Sequence, residues 1–346
     1  MKKVISLVFM LVALSLGWPA TSDAQMKKVS MQLDWLVSGY HTGYFVAKEK
    51  GFYAAKGLDV TINRGYVSGD TIKVVAAGKS EFGQAGIPPA IISRGKGAPV
   101  VGLAVIVGKS PESILSLEEK GIRKIKDIEG KSFGEPAGGA IMVMWDAFVK
   151  FAGIDTSKLT YINVEPAAKA AVFFSGRVDW TFGFRPGFDD VIITRARKEG
   201  KKLVFLRWED VGWKTYGSGI ITTDDLLKRD PKLVADFVAA SMDGFRWVIE
   251  NPDQALDLIL KGNPEIDRAA AHLSLLFGID GLLTKAAREH GLGYMEPDRM
   301  AFQIDLMSKA GNFPPPKAQE VYTNQFIQKK PVTVSPALEA ELAKIR

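Results

Sequence analysis

Apolar and polar positions along this chain change period in a way that separates strands from helices. Met31 to Trp35 reads as a short apolar strand that runs into a polar loop, Leu36 to His41, and then into a helix over Thr42 to Lys50. Gly51-Phe52-Tyr53 breaks that helix, Leu58 to Asn63 forms a second strand, and the loop Tyr66 to Asp70 opens a second helix. This is a βαβα unit. Open α/β sheets bind ligands beyond the carboxyl ends of their strands, so both loops are expected to face one crevice.

The alternation continues. Glu81 to Ala90 reads as a strand ending in a Gly86-Ile87-Pro88-Pro89 loop, a helix carrying Ile91 and Ile92 stops at Gly95-Lys96-Gly97, and Pro99 to Val107 is a buried strand. After Ser113 to Leu117 and a basic connector to Lys131 the pattern restarts: strand Ser132-Phe133, loop Gly134 to Gly139, helix Ala140 to Ala152, strand Leu159 to Val164, helix Ala167 to Phe174, strand Val178 to Phe184. The two halves share a local signature. Gly78-Lys79-Ser80-Glu81-Phe82 corresponds to Gly176-Arg177-Val178-Asp179-Trp180, each after an Ala-rich helix and before a strand, which predicts two similar α/β lobes. Gly78 and Gly176 fit the left-handed position that ends a helix.

From Thr222 only helical patterns remain: Asp224 to Glu250, Pro252 to Lys261, Pro264 to Phe277, Lys285 to Glu289 and Pro297 to Ala310. Such a tail is expected to return to the first lobe and cover its sheet. Lobe 1 then comprises residues 25–112 and 222–346, lobe 2 residues 113–221, with crossings near Ser110 to Ser116 and Tyr216 to Thr222.

Composition narrows the function classes. The chain has 346 residues, 47% hydrophobic and 24% charged, enough for two substantial cores. Lys2 and Lys3, the apolar run Val4 to Leu16 and the small residues up to Ala24 have the three parts of a secretory signal peptide, with the cut expected after Ala24. The apolar run is shorter than the roughly 20 residues that span a bilayer. With no cysteine there is no thiol for disulfides, for an N-terminal lipid, for thiolate metal ligands or for a cysteine nucleophile. Three scattered histidines argue against a metal site, and no cofactor is expected. The net charge of +6 is modest for this length, and the basic clusters Lys120 to Lys131 and Arg195 to Lys202 alternate with apolar or acidic residues. They read as solvated helix faces, so no nucleic-acid partner is expected. A soluble periplasmic monomer, without a lipid anchor, is the simplest expectation.

Several motifs in the same order resemble a known family: Leu33-Asp34-Trp35, His41-Thr42-Gly43, Glu49-Lys50-Gly51-Phe52-Tyr53, Gly57-Leu58-Asp59-Val60, Ala77-Gly78-Lys79 and Asp127 to Gly134. The chain is similar to periplasmic substrate-binding proteins of ABC importers in the group that resembles fungal thiamin-pyrimidine synthases, near the nitrate, sulfonate and taurine binders. The resemblance covers nearly all of the mature chain. It implies an α/β type II periplasmic-binding-protein fold, closure about a hinge, and delivery of a small ligand to an inner-membrane permease with its cytoplasmic ATPase. Members that bind thiamin-pyrimidine precursors look similar at Trp35 and His41. They commonly have an Asn/Glu-rich turn where this chain has Phe184-Arg185-Pro186-Gly187-Phe188, and a basic Arg185 would suit a sulfonate or aromatic carboxylate instead. Relatives that make the pyrimidine carry a cysteine-rich metal motif that is absent here, and an export signal does not suit such a cytosolic enzyme.

The candidate ligand residues follow from position. Trp35 ends a strand at the crevice and can stack on a flat ligand, or pack beneath the loop. Tyr40 and His41 begin the next helix, and a neutral imidazole donates or accepts, although a lone histidine is more often a surface or capping residue. Gly69 and Asp70 open a helix whose free N–H groups can meet a ligand oxygen, a role compatible with ordinary capping by Ser68 or Asp70. Gly138 and Gly139 are the lobe 2 equivalent, with Glu135 placed to pair with an amine or ring N–H. Gly86 allows close backbone approach or simply turns the chain. Glu165, Phe184 and Arg185 lie at strand ends on the crevice side of lobe 2. Glu165 can equally cap the next helix, and Arg185 can pair with Asp189 or Asp190. Trp145 falls at helical spacing with Ile141, Phe148 and Val149, and reads as core.

Overall fold

The computed structural model describes residues 26–346, so the expected signal peptide and the expected cut after Ala24 lie outside the described residues. Among the described residues, ten strands build two five-stranded sheets. β1 (Lys27–Gln32), β2 (Leu58–Asn63), β3 (Phe82–Gly86), β4 (Val100–Val105) and β10 (Ser218–Thr223) form the first, in the order β2-β1-β3-β10-β4. β5 (Glu112–Leu117), β6 (Ser132–Glu135), β7 (Thr160–Asn163), β8 (Trp180–Phe184) and β9 (Leu203–Arg207) form the second, in the order β7-β6-β8-β5-β9. In both sheets the first three strands run parallel and one strand supplied by a crossing inserts antiparallel. Chain order therefore crosses between sheets twice, from β4 to β5 and from β9 to β10. This is the type II periplasmic-binding-protein architecture of two α/β lobes on a two-strand hinge.

The repeated signature has a structural reason. Gly78 (φ +66°) and Gly176 (φ +73°) both take the left-handed conformation that ends a helix. The acid three residues on grips the neighbouring central strand: the Ser30 amide of β1 donates to Glu81 Oε2 at 2.7 Å, and the Ser132 amide of β6 donates to Asp179 Oδ2 at 2.9 Å. The aromatic that follows stacks in each core, Phe82 on Phe237 (3.8 Å between centroids) and Trp180 on Phe133 (4.5 Å). A short motif thus fixes register in both lobes.

Several boundaries differ from expectation for identifiable reasons. The first strand spans 27–32 rather than 31–35, because Lys27 and Lys28 sit exposed at its start opposite Leu58 and Asp59, and the chain leaves the sheet after Gln32. Ile87 to Pro89 are the first turn of the helix Ile87–Gly95, with proline at positions whose amides need no helical partner. The pattern 224–250 divides at Asp230, whose carboxylate accepts from the Leu233 amide at 2.9 Å and starts a new helix, Pro231–Glu250. The expected helix 264–277 instead spans Arg268–Leu282, capped by Asp267. β9, β10 and the helix Pro336–Ile345 have no counterpart in the reading of the sequence. Most of the tail does pack on the first sheet, where Gly43 and Gly244 let the helices Thr42–Glu49 and Pro231–Glu250 approach closely. The helix Pro297–Gly311 departs from that. Its Met300, Ile304 and Met307 join the core around Trp145 and Phe148.

That helix also ties the hinge. Arg299 donates to the carbonyl oxygens of Gly108, at 2.6 Å, and Thr215, one on each crossing, and stacks on Tyr216. Beneath it the fully buried Glu112 carboxyl is pushed up to about 8, chiefly by burial and also by Glu209, against lowering by its own amide, Thr215 and Arg299. Burial similarly lifts Asp190 to about 7. Both folded values exceed the unfolded ones, so the stability these groups contribute is complete below about pH 4 and is lost as pH rises through about 7 and 8. Glu112→Gln, which stays neutral, is expected to flatten that decline and to exceed the parent at pH 9 by on the order of 3 kcal/mol. Urea unfolding from pH 5 to 9 measures it. An unchanged slope in the variant would show that Glu112 does not carry the effect.

Candidate ligand-binding cleft

The carboxyl ends of the parallel strands in both lobes point at one cleft, with about 450 Å³ of free space including its mouth. Lobe 1 contributes Asp34 and Trp35 from the loop after β1, Tyr40 from the turn that follows, and Ser68 from the start of the helix Ser68–Ala76. Lobe 2 contributes Glu135 at the end of β6, Gly139 to Ile141 at the start of the helix Ala140–Ala152, Lys169, and the loop Phe184, Pro186, Gly187 and Phe188 after β8. The lobes meet at the mouth. The Gly69 amide donates to the Gly138 carbonyl at 3.1 Å, and the Tyr66 hydroxyl bonds the Glu165 carboxylate. A side chain at Gly69 would press on the Gly138 backbone, so the close approach needs glycine.

Asp34 organises the lobe 1 wall. Its Oδ1 accepts from the Tyr40 hydroxyl (2.9 Å), from Gln84 Nε2 (3.0 Å) and from His41 Nε2 (3.2 Å), and its Oδ2 accepts from the Ser218 hydroxyl (2.5 Å). His41 Nδ1 accepts from the Ser38 amide at 3.2 Å, which places the ring proton on Nε2, facing Asp34. Four donors saturate the carboxylate. Burial and the Asp34 charge hold the Tyr40 phenol well above its ordinary value, so it remains a donor. Ser68 Oγ accepts from the Gly86 amide at 3.2 Å, which leaves its own proton available to the cleft.

The lobe 2 wall rests on a buried ion pair. Lys169 Nζ lies 2.7 Å from Glu135 Oε2, donates to the Phe182 carbonyl at 2.9 Å and sits 3.8 Å from the centroid of the Phe188 ring. Burial raises the Glu135 pKa and lowers that of Lys169, and each partner opposes the shift in the other. The hydrogen-bonded geometry keeps them paired. Lys169 is the only cation among the lining residues, and it is already committed.

The residues expected from sequence divide into four groups. Trp35, Tyr40, Glu135, Gly139 and Phe184 line the cleft. Gly69, Gly138 and Glu165 bridge its mouth, while His41 and Gly86 stand one layer behind and hold Asp34 and Ser68. Asp70 and Arg185 do neither. Asp70 is exposed and pairs with Lys73 at 3.3 Å, and the Arg185 guanidinium lies over the Phe277 ring at 4.1 Å, outside the lining. Asp34, Ser68, Lys169 and Pro186 to Phe188 line the cleft and were not anticipated. Asp34 could have been singled out, since it sits at the same strand end as Trp35. Lys169 gives no such signal, because a lysine in an Ala-rich helix ordinarily reads as solvated.

The family model described as NMT1/THI5 like matches residues 38–255. Among relatives, a formylaminopyrimidine-binding protein of Halalkalibacterium halodurans is 27% identical over 71% of this chain and 74% of its own length. A 4-amino-5-hydroxymethyl-2-methylpyrimidine phosphate synthase of Legionella pneumophila is 24% identical over 69% and 75%. Among solved structures, the alkanesulfonate-binding protein SsuA from Xanthomonas axonopodis pv. citri bound to MOPS superposes with a TM-score of 0.65 at 14% identity, over 86% of this chain and 98% of that one. That last likeness concerns the fold. With two lobes of the same topology around a shared cleft and a family match across about half of the first lobe and all of the second, the chain belongs to the NMT1/THI5-like family.

Proposed function

We propose that the protein is the periplasmic solute-binding component of an ABC importer, and that its cleft clamps a small flat nitrogen heterocycle, neutral or cationic, with an aminopyrimidine as the best fit. The observation that carries this reading is the pairing of aromatic walls, Trp35, Tyr40, Phe184 and Phe188, with two carboxylates and no uncommitted cation. A ring N–H or exocyclic amine finds an acceptor in Glu135, whose contact with Lys169 runs through Oε2, and an anion meets two carboxylates with no free cation to offset them. The formylaminopyrimidine-binding relative supports the same class. A sulfonate or aromatic carboxylate rested on Arg185, which is held elsewhere. The synthase reading has less support: His41, the residue shared with that group, is buried behind Asp34 rather than lining the cleft, and the sequence has no cysteine.

Calorimetry of the mature protein tests the reading. Binding of 4-amino-5-hydroxymethyl-2-methylpyrimidine without turnover is expected, with no measurable binding of MOPS, and Trp35→Ala is expected to weaken the pyrimidine at least roughly tenfold through lost stacking. Tight MOPS binding, or full affinity in the Trp35 variant, would overturn the assignment.

A further inference from the structure

The geometry assigns Arg185 the role of an inter-lobe latch: a positioning residue that holds the clamp shut from outside the cleft. Arg185 belongs to a loop of lobe 2 that faces both the cleft and lobe 1. Its neighbours Phe184, Pro186 and Gly187 line the cleft, and its own amide is fixed to the crossing just before β5 through the Pro111 carbonyl at 3.1 Å. The guanidinium points the other way. Its carbon lies 4.1 Å over the centroid of Phe277, and Nη1 donates to the Ile345 carbonyl at 3.2 Å.

Both partners belong to lobe 1. Phe277 is in the helix Arg268–Leu282, whose Leu275, Leu276 and Ile279 pack in the core of the first sheet, and Ile345 ends a helix whose Leu338 and Leu342 pack in the same core. Within lobe 2 the side chain is held weakly: Nε has no hydrogen-bond partner and stands 4.0 Å from Asp189 Oδ2, which Arg207 already engages at 3.0 Å. The strong contacts of Arg185 therefore exist only while the lobes are together. On the opposite side of the same loop, Gly187 lies against the Tyr40 ring, so close that an added Cβ would stand 2.9 Å from a ring carbon. A ligand resting on Tyr40 and Phe184 seats this loop, and the seated loop carries Arg185 onto Phe277. Ligand binding and latching thereby favour the same closed state.

The inference rests on the two-lobe clamp described above but not on the identity of its ligand, and the test keeps the two apart. The chain has no cysteine, so spin labels at Lys73→Cys and Lys158→Cys, exposed positions in lobe 1 and lobe 2, report the inter-lobe distance without background. Ligand-free Arg185→Ala is expected to shift the distance distribution towards longer separations than the parent shows. With 4-amino-5-hydroxymethyl-2-methylpyrimidine it is expected to release the compound about tenfold faster at an unchanged on-rate. Arg185→Lys should recover only part of either effect, because an ammonium keeps the charge but not the flat stacking face. A residue needed only for folding would lower the melting temperature and leave the distances alone. Identical distance distributions in parent and Arg185→Ala overturn the proposal. If Arg185→Ala does not fold, Phe277→Leu in the labelled protein decides by the same criterion. Failure of the pyrimidine to bind would count against the ligand assignment and leave the distance measurement intact.

Discussion

Asp34→Ala is expected to destabilise the protein by about 3 kcal/mol or more and to abolish ligand binding, because one substitution strips partners from four buried groups. The Tyr40 hydroxyl, His41 Nε2, Gln84 Nε2 and the Ser218 hydroxyl all donate to this carboxylate, and Gln84 Oε1 already lacks a partner. Each unsatisfied buried group costs about 1–3 kcal/mol, and hydroxyl rotation or entering water recovers part of that. Asp34→Asn keeps one acceptor and turns an amide towards Ser218 Oγ, which can accept, so it should lose roughly half as much. The functional loss has a separate cause. Ser218 begins β10, and its carbonyl receives the Ile106 and Val107 amides of the other crossing at 2.9 Å each, so Asp34 joins the ligand wall to the point where the two hinge strands pair. Urea unfolding and calorimetry on the two variants check both parts. A midpoint for Asp34→Ala equal to that of the parent would show that the network is incidental to the wall.

The same residue shows where reading the sequence stops. Strands and helices were legible wherever their own residues carried the period: 58–63 and 140–152 match the elements residue for residue, and the Gly-basic-x-acid-aromatic repeat pointed to two lobes of one topology. Asp34 was not singled out as a ligand residue: two of its four partners lie 50 and 184 positions away in sequence, and only the sheet order brings Gln84 and Ser218 beside it. β10 was missed for a related reason. Ser218 to Thr222 are all buried and lack alternation, as expected for a strand covered on both faces and placed between β3 and β4. Arg185 was legible as a cation near the crevice but not in its direction, since the ring that receives it comes from the distant tail.

Lys169→Met is expected to cost about 3–5 kcal/mol, because it leaves the Glu135 carboxylate buried without its counter-ion. With Lys169 gone, nothing opposes the burial that already raises Glu135, so the variant should bind a proton there that the unfolded chain releases. The sign follows: the penalty is smallest at acid pH and grows as pH rises through the elevated Glu135 pKa. Glu135→Gln strands the ammonium instead. Lys169 retains the Phe182 carbonyl and the Phe188 face, so this variant should lose less than Lys169→Met. The double variant removes both charges and should be more stable than either single one, since a buried pair contributes little net stability while either half alone is costly. That separation gives the functional test. A double variant that unfolds near the parent midpoint yet binds 4-amino-5-hydroxymethyl-2-methylpyrimidine at least about a hundredfold more weakly identifies Glu135 as the acceptor for a ligand N–H. Full affinity in that well-folded double variant would mean that the pair shapes lobe 2 and that recognition lies wholly with the aromatic walls and Ser68.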